Sequence, residues 1–285
     1  MKSLSFISII FLTLFLFSCQ KEIDWGLGGG NTSGKMLAKI KSKTGTDTTQ
    51  LDYFYDVNKR LIREKTTGVS AGNSLDNDLV IIRNSNGIIT TTVQKAAALI
   101  AAGIDSVVTR FNYNTATSKY TSSVFDLAIP GFAVTDSAVY TYDAGGRISG
   151  DAHYLQISGL PIPIPPILAL KNYYIYSASG SNLDIIKQEA TTTPGGPLSL
   201  VASQAFNFDS KTNPLIIGNE AILTGRTGFY NSNNASKAVV ANTIDPTQDF
   251  TMDYSYRYNS FNKPDSSYGT RTPGGAITAT KYFYQ

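Results

Sequence analysis

The chain has 285 residues, and its 24 Lys and Arg against 21 Asp and Glu give a net charge of +3, too small to point to nucleic acid as a partner. One Cys excludes an internal disulfide framework, and one Cys with one His excludes a His/Cys metal cage, so no cofactor is expected. Hydrophobic residues make up 42% and charged residues 16%. That charge is well under the roughly 25% usual in soluble domains, while the apolar share is enough for a core and excludes wholesale disorder.

The N-terminus reads Met1-Lys2-Ser3 and then an apolar run from Leu4 to Phe17. This suits the h-region of a secretory signal and is too short for a membrane span, which needs about 20 residues. The run ends Leu16-Phe17-Ser18-Cys19, which resembles a bacterial lipoprotein signal, although Phe17 departs from the small or branched residue usual there. The resemblance implies cleavage after residue 18 and lipidation of the Cys19 thiol. Several acyl chains then give lasting anchorage, since each buried CH₂ contributes about 0.8 kcal/mol. Gln20-Lys21-Glu22-Ile23-Asp24 loosely resembles the tract that sends Bacteroidetes lipoproteins to the outside of the outer membrane. Residues 19–35 thus form a lipidated Cys and a Gly-rich tether (Gly26 to Gly34), and residues 36–285 a single repetitive domain.

Within that domain an aromatic-x-aromatic pair followed by Asp, Asn or Ser recurs. It appears at Tyr53-Phe54-Tyr55-Asp56, Phe111-Asn112-Tyr113-Asn114, Tyr140-Thr141-Tyr142-Asp143 and Tyr174-Ile175-Tyr176-Ser177. It returns at Phe206-Asn207-Phe208-Asp209 and Tyr256-Arg257-Tyr258-Asn259, and the chain closes on Tyr282-Phe283-Tyr284. The polar residues are spaced 58, 29, 34, 32 and 50 apart, and Asn84 bisects the first gap. The period is therefore about 30 residues, and the gap of 50 is expected to hold a degenerate unit near Tyr230-Asn231.

Aromatics at i and i+2 share one face of a strand. The Asp or Asn that follows bonds its own backbone two residues on and starts a turn, and the Gly, Asn or Lys/Arg cluster after it supplies positive φ. Each unit therefore reads as a β-hairpin. The expectation is an all-β fold: an antiparallel meander of hairpins forming a large curled sheet or barrel of about 14–18 strands. One short helix is expected near 94–102, where Ala-rich sequence meets Gly103. Leu160-Pro161-Ile162-Pro163-Ile164-Pro165-Pro166 reads as an extended loop, because four of its residues lack an N–H.

Tyr142-Asp143-Ala144-Gly145-Gly146-Arg147 matches the core of the YD repeats of Rhs-type surface proteins, which the units resemble. The mature chain also resembles Bacteroidetes lipoproteins of an uncharacterised family with a porin-like fold. That likeness is carried by the hairpin units, the lipobox and two phrases, Phe208 to Pro214 and Asn233 to Lys237. It implies a barrel or curled sheet on an exported lipoprotein, with no activity or catalytic residue to carry over. Porin-like need not mean spanning, because Thr, Ser and Asn interleave most strands where a spanning strand needs an apolar outer face.

No reactive constellation stands out. His153 is the lone candidate general base and is read as a packed or surface residue. Asp76-Asn77-Asp78 and Asn231 to Asn234 carry oxygens suited to calcium but lack its loop spacing, and are read as turns. Asp105-Ser106 and Asp136-Ser137 are read as strand entries. The aromatic pairs either pack the sheet or form a stripe for sugar rings, and their presence in every unit favours packing.

The function expected is a lipid-anchored outer-membrane protein, facing the cell surface or the periplasm, with a binding or structural role and no catalysis. The membrane, through Cys19, is its first partner, and a glycan, a lipid or an outer-membrane protein its candidate second. One alternative is a carrier of a lipid or other apolar ligand in a barrel mouth, with Leu160–Leu170 as rim or lid. Another is an envelope glycan hydrolase using paired carboxylates, for which the sequence offers no specific pair.

Overall fold

The computed structural model describes residues 36–129, 132–159, 165–191, 193 and 195–285. The expected signal, Cys19 and the tether lie outside the described residues, as does most of the Pro-rich loop. Sixteen strands follow one another: β1 (Leu37–Thr44), β2 (Asp47–Tyr55), β3 (Leu61–Ser70), β4 (Asn73–Arg83), β5 (Ile89–Ala96), β6 (Val107–Asn114), β7 (Lys119–Ile129) and β8 (Phe132–Tyr142). Then come β9 (Ile148–Ser158), β10 (Ile167–Tyr176), β11 (Leu183–Thr191), β12 (Leu198–Thr212), β13 (Asn233–Asn242), β14 (Phe250–Tyr258), β15 (Pro264–Thr272) and β16 (Ile277–Tyr284). Two helical turns interrupt them, α1 (Ala97–Ala101) and α2 (Asn219–Leu223).

Each strand pairs antiparallel with its sequence neighbours, and β1 pairs with β16, so the meander closes into a barrel. Closure satisfies the two edges that an open sheet would leave bare. The strand count falls within the range expected from the repeat.

The two rims differ. The aromatic-plus-Asp/Asn units other than Phe206–Asp209 turn at one of them, and several of these turns share one geometry. The side-chain oxygen at the first position accepts backbone N–H groups two and four residues on: Asp56 from Asn58 and Arg60, Asn84 from Asn86 and Ile88, Asn259 from Phe261 and Lys263. The fourth position has positive φ, +77° at Gly146, with Lys59 and Asn262 adopting the same region at the equivalent places, and Ser118 doing so one residue later in its longer turn. Neighbouring turns also interlock. The Arg60 guanidinium occupies the place a Cβ would take on Gly87 in the next turn, and Arg147 does the same over Gly180. Any larger residue at those two glycines displaces the arginine.

The residue that opens six of the eight odd strands points inward. Leu37, Leu61, Ile89, Ile148, Leu183 and Pro264 are all essentially inaccessible and form an apolar belt beneath the turn rim. The second aromatic of a pair braces this belt. Its hydroxyl donates to the backbone carbonyl at the start of the preceding strand: Tyr55 to Leu37 (2.7 Å), Tyr142 to Tyr120 (2.8 Å), Tyr176 to Ile148 and Tyr284 to Pro264 (2.8 Å). The aromatic pairs are therefore lumenal, and most pack as expected.

Four local expectations are corrected. Gln94 to Ala96 continue β5, and the helix is only Ala97–Ala101, because a strand pairing to β4 outcompetes the Ala-rich helix propensity. Asp76-Asn77-Asp78 is mid-strand in β4 and not a turn. Asp105-Ser106 does precede β6, but Asp136-Ser137 sits in the middle of β8. The 50-residue gap holds no further hairpin: β12 runs on past Asp209 to Thr212, and a second helix, α2, follows.

The belt predicts where stability resides. Ile148→Ala should lower unfolding free energy by about 2–5 kcal/mol, whereas Val139→Ala, 45% exposed on the outer wall, should stay within about 0.5 kcal/mol. Urea denaturation of the two variants checks this.

Candidate functional site: a plugged lumen

Residues 213–232 join β12 to β13, yet their partners lie on strands far from either. Glu220 on α2 takes both terminal nitrogens of Arg83 from β4, at 2.6 and 2.7 Å. Arg226 donates to Glu64 of β3 at 2.8 Å. Asn219 donates to Gly146 O and accepts from Ile148 N, at the β8–β9 turn. Asn231 accepts from Leu183 N of β11, and the Phe229 ring meets Tyr53 of β2 edge-on at 5.7 Å. Only a chord across the lumen reaches all these strands, so the segment is a plug seated at the turn rim.

Its local sequence explains its shape. Asn213 closes an Asx turn on Leu215, Gly218 enters α2 with φ +57°, and Gly225 leaves it with φ +69°. The two arms pair through Ile217 N and Phe229 O. Ala221, Ile222 and Leu223 are buried against the belt, with Leu215 and Tyr230. Two carboxylate–guanidinium pairs carry the charges inward. Arg83 and Glu64 have side chains only 5% and 3% exposed, so removing either partner would strand a buried charge at a cost of about 3–5 kcal/mol. Two clefts flank the plug at the rim. One, of ≈ 330 Å³, lies between Pro214–Ile217 and Met36, Tyr55 and Lys59. The other, of ≈ 420 Å³, lies between Asn219–Glu220 and the turns at Asn86, Ser118 and Gly146.

Further along the lumen β8 to β11 present a polar network. The His153 imidazole sits between two carboxylates, Nδ1 at 3.0 Å from Asp136 and Nε2 at 3.0 Å from Asp151. Asp151 also accepts from Asn172 and from the Tyr174 hydroxyl, both at 2.7 Å. Burial alone would lower the His153 pKa, but the hydrogen bonds and charges of both carboxylates outweigh it and lift the pKa to about 10. The imidazolium therefore persists at neutral pH and ties three strands together. Of the packed or surface positions expected for His153, the structure shows the packed one, with two partners that no local motif joins to it. Of Asn231 to Asn234, read as a turn, Asn233 and Asn234 instead open β13, because they pair back on β12; Asn231 caps β11 and Asn234 bonds Asp209 and Lys211 at the plug's exit.

The adjoining lumen wall is aromatic. Phe206 and Phe208 on β12 and Tyr254, Tyr256 and Tyr258 on β14 face inward, with ring centroids 5.8–6.4 Å apart. They stand outside the packed core around the plug, which draws on β1 to β11 with Tyr282 and Tyr284 of β16.

The outer wall is the reverse. Residues alternate with the lumenal set, and cross-strand ion pairs lie on it: Lys39–Asp52, Arg63–Asp78, Lys65–Asp76, Arg110–Asp126 and Lys237–Asp253. Such pairs contribute little stability, about 0–1 kcal/mol each, but they mark the surface as water-facing. On a lipid face each Arg or Lys near the midplane would cost about 2–4 kcal/mol.

No family model matches the chain, and no curated protein does. Among solved structures it is similar to a porin-like protein from Bacteroides uniformis, with a TM-score of 0.51 and 13% identity over 87% of this chain and 98% of that one. A porin-like protein from Bacteroides vulgatus also matches, at 9% identity and a TM-score of 0.38, covering 88% and 99%. At such identities the likeness is one of fold, a porin-like β-barrel.

The His153 network makes stability depend on pH. A folded pKa raised above the unfolded value of about 6.5 contributes stability fully present below pH 6.5 and lost as pH rises towards 10. The melting temperature of wild type should fall across that window. His153→Gln should melt lower at pH 6 and show a flatter profile; an equal slope in the variant would assign the dependence elsewhere.

Proposed function

We propose that this chain is a lipid-anchored cell-envelope barrel that stands outside the hydrocarbon layer and serves as a binding or structural body, without catalysis. The observation that carries the reading is the inversion of the wall: ion pairs outside, and a lumen closed at one rim by the chain's own plug. A spanning pore needs the opposite outer face. The porin-like neighbours support an envelope setting, and Cys19 supplies the attachment. The one His of the chain is held in a buried network by Asp136 and Asp151 and is read as a structural tie.

Purified protein added to planar bilayers should give no conductance steps, and Cys19→Ala should release the protein from the outer-membrane fraction. Stable pore currents, or a variant held as firmly as wild type, would overturn the respective half of the reading.

A second reading, an apolar-ligand carrier, is favoured by the aromatic wall of β12 and β14, which the plug's core leaves uncovered. Native mass spectrometry should then show a co-purifying apolar molecule; protein of bare chain mass would remove this reading.

A further inference from the structure

The barrel closes where β16 meets β1, and the outer face of that seam is strongly basic. Lumenal contacts fix the alternation: Ser42 bonds Thr280, while Ile40, Leu51, Tyr53, Tyr282 and Tyr284 pack on the core. The intervening residues therefore point outward. On β16, β1 and β2 these include Lys281, Lys39, Lys41 and Lys43, against a single carboxylate, Asp52, which pairs with Lys39 at 3.3 Å. Lys41 stands directly opposite Lys281 in the register. Like charges in that position are destabilising, whereas at several other places the outer wall brings a Lys or Arg within ion-pair reach of an Asp on the next strand. The closing seam is an exception to the chain's own pattern.

Two aromatics extend the patch. Phe283 lies under Lys41, with the ammonium 6.0 Å from the ring centroid, and Phe54 is 42% exposed on the neighbouring strand. Lysines interleaved with outward aromatics match the chemistry of a phosphate-bearing lipid interface. The cations meet headgroup phosphates there, and the rings sit at the polar–apolar boundary.

We propose that the β16–β1–β2 face docks on an anionic lipid surface. The position of the seam supports a lipid surface over a soluble polyanion. β1 begins at Leu37, and the seventeen residues 20–36 joining it to Cys19 span at most about 60 Å at 3.3–3.6 Å each. The seam is thereby the part of the wall covalently nearest the anchor. This last step rests on the lipid-anchor reading; the charge argument does not.

The test uses the full chain, purified in detergent and presented to vesicles of phosphatidylcholine alone or with 30% phosphatidylglycerol. Wild type should bind the anionic vesicles at least tenfold more tightly, and the difference should collapse in 0.5 M NaCl. In the triple variant Lys41→Gln, Lys43→Gln, Lys281→Gln the preference should vanish while binding to neutral vesicles is unchanged. Lys171→Gln with Lys187→Gln, on the outer wall of β10 and β11, should keep it. The proposal is overturned by a preference that survives the triple variant, by one lost equally in the control, or by wild type that binds dextran sulfate but shows no vesicle preference. Loss of binding to neutral vesicles on Cys19→Ala reads the anchor separately.

Discussion

A sixteen-strand circumference encloses more space than its own side chains can fill. Eight strands give an interior that wall residues close; sixteen leave an aqueous channel unless something else enters. Much of this molecule answers that constraint. The inward Tyr residues lean across to the preceding strand and bond its first carbonyl, thickening the wall. The remaining gap at the turn rim is filled by the β12–β13 connection, which brings its own apolar core and two charges aimed at Arg83 and Glu64.

The same constraint explains where polarity lies. A lumen that is partly packed and partly lined by polar groups keeps its buried Asp, Glu and His in pairs, because an isolated buried charge is costly. His153 between Asp136 and Asp151 and Arg226 against Glu64 are local solutions to that problem. The outer wall, freed from the need to hide charge, carries Lys–Asp pairs along its strands. The porin-like architecture thus carries ion pairs on its outer wall and a plugged, partly polar lumen inside.

The hairpin repeat was legible because its determinants are local. Aromatic spacing of two, an Asx oxygen two residues before the N–H it accepts, and a positive-φ position are properties of about ten consecutive residues. They located Asp56, Asn84, Asp143 and Asn259 as turn starts. The same local logic misread Asp76-Asn77-Asp78, where backbone pairing to Lys65, Thr66 and Thr67 of β3 holds the segment extended. It also misread the stretch before Tyr230, whose Gly and apolar residues imitate a hairpin. The excess of about twenty residues over the period, with Glu220 and Arg226 set in apolar sequence, was the signal available there.

What the sequence alone determined was the unit: strand, turn and apolar residue after the turn, repeated along the chain. What only the tertiary structure decided was closure, the inward face, and the traffic across the lumen. Whether β16 finds β1 depends on how twist and register accumulate over all sixteen strands, and no window of sequence holds that sum. Glu220 meets Arg83 only when β4 and the plug are brought together across the lumen, because that contact joins residues 137 positions apart, whereas His153 meets Asp136 as soon as β8 and β9 pair.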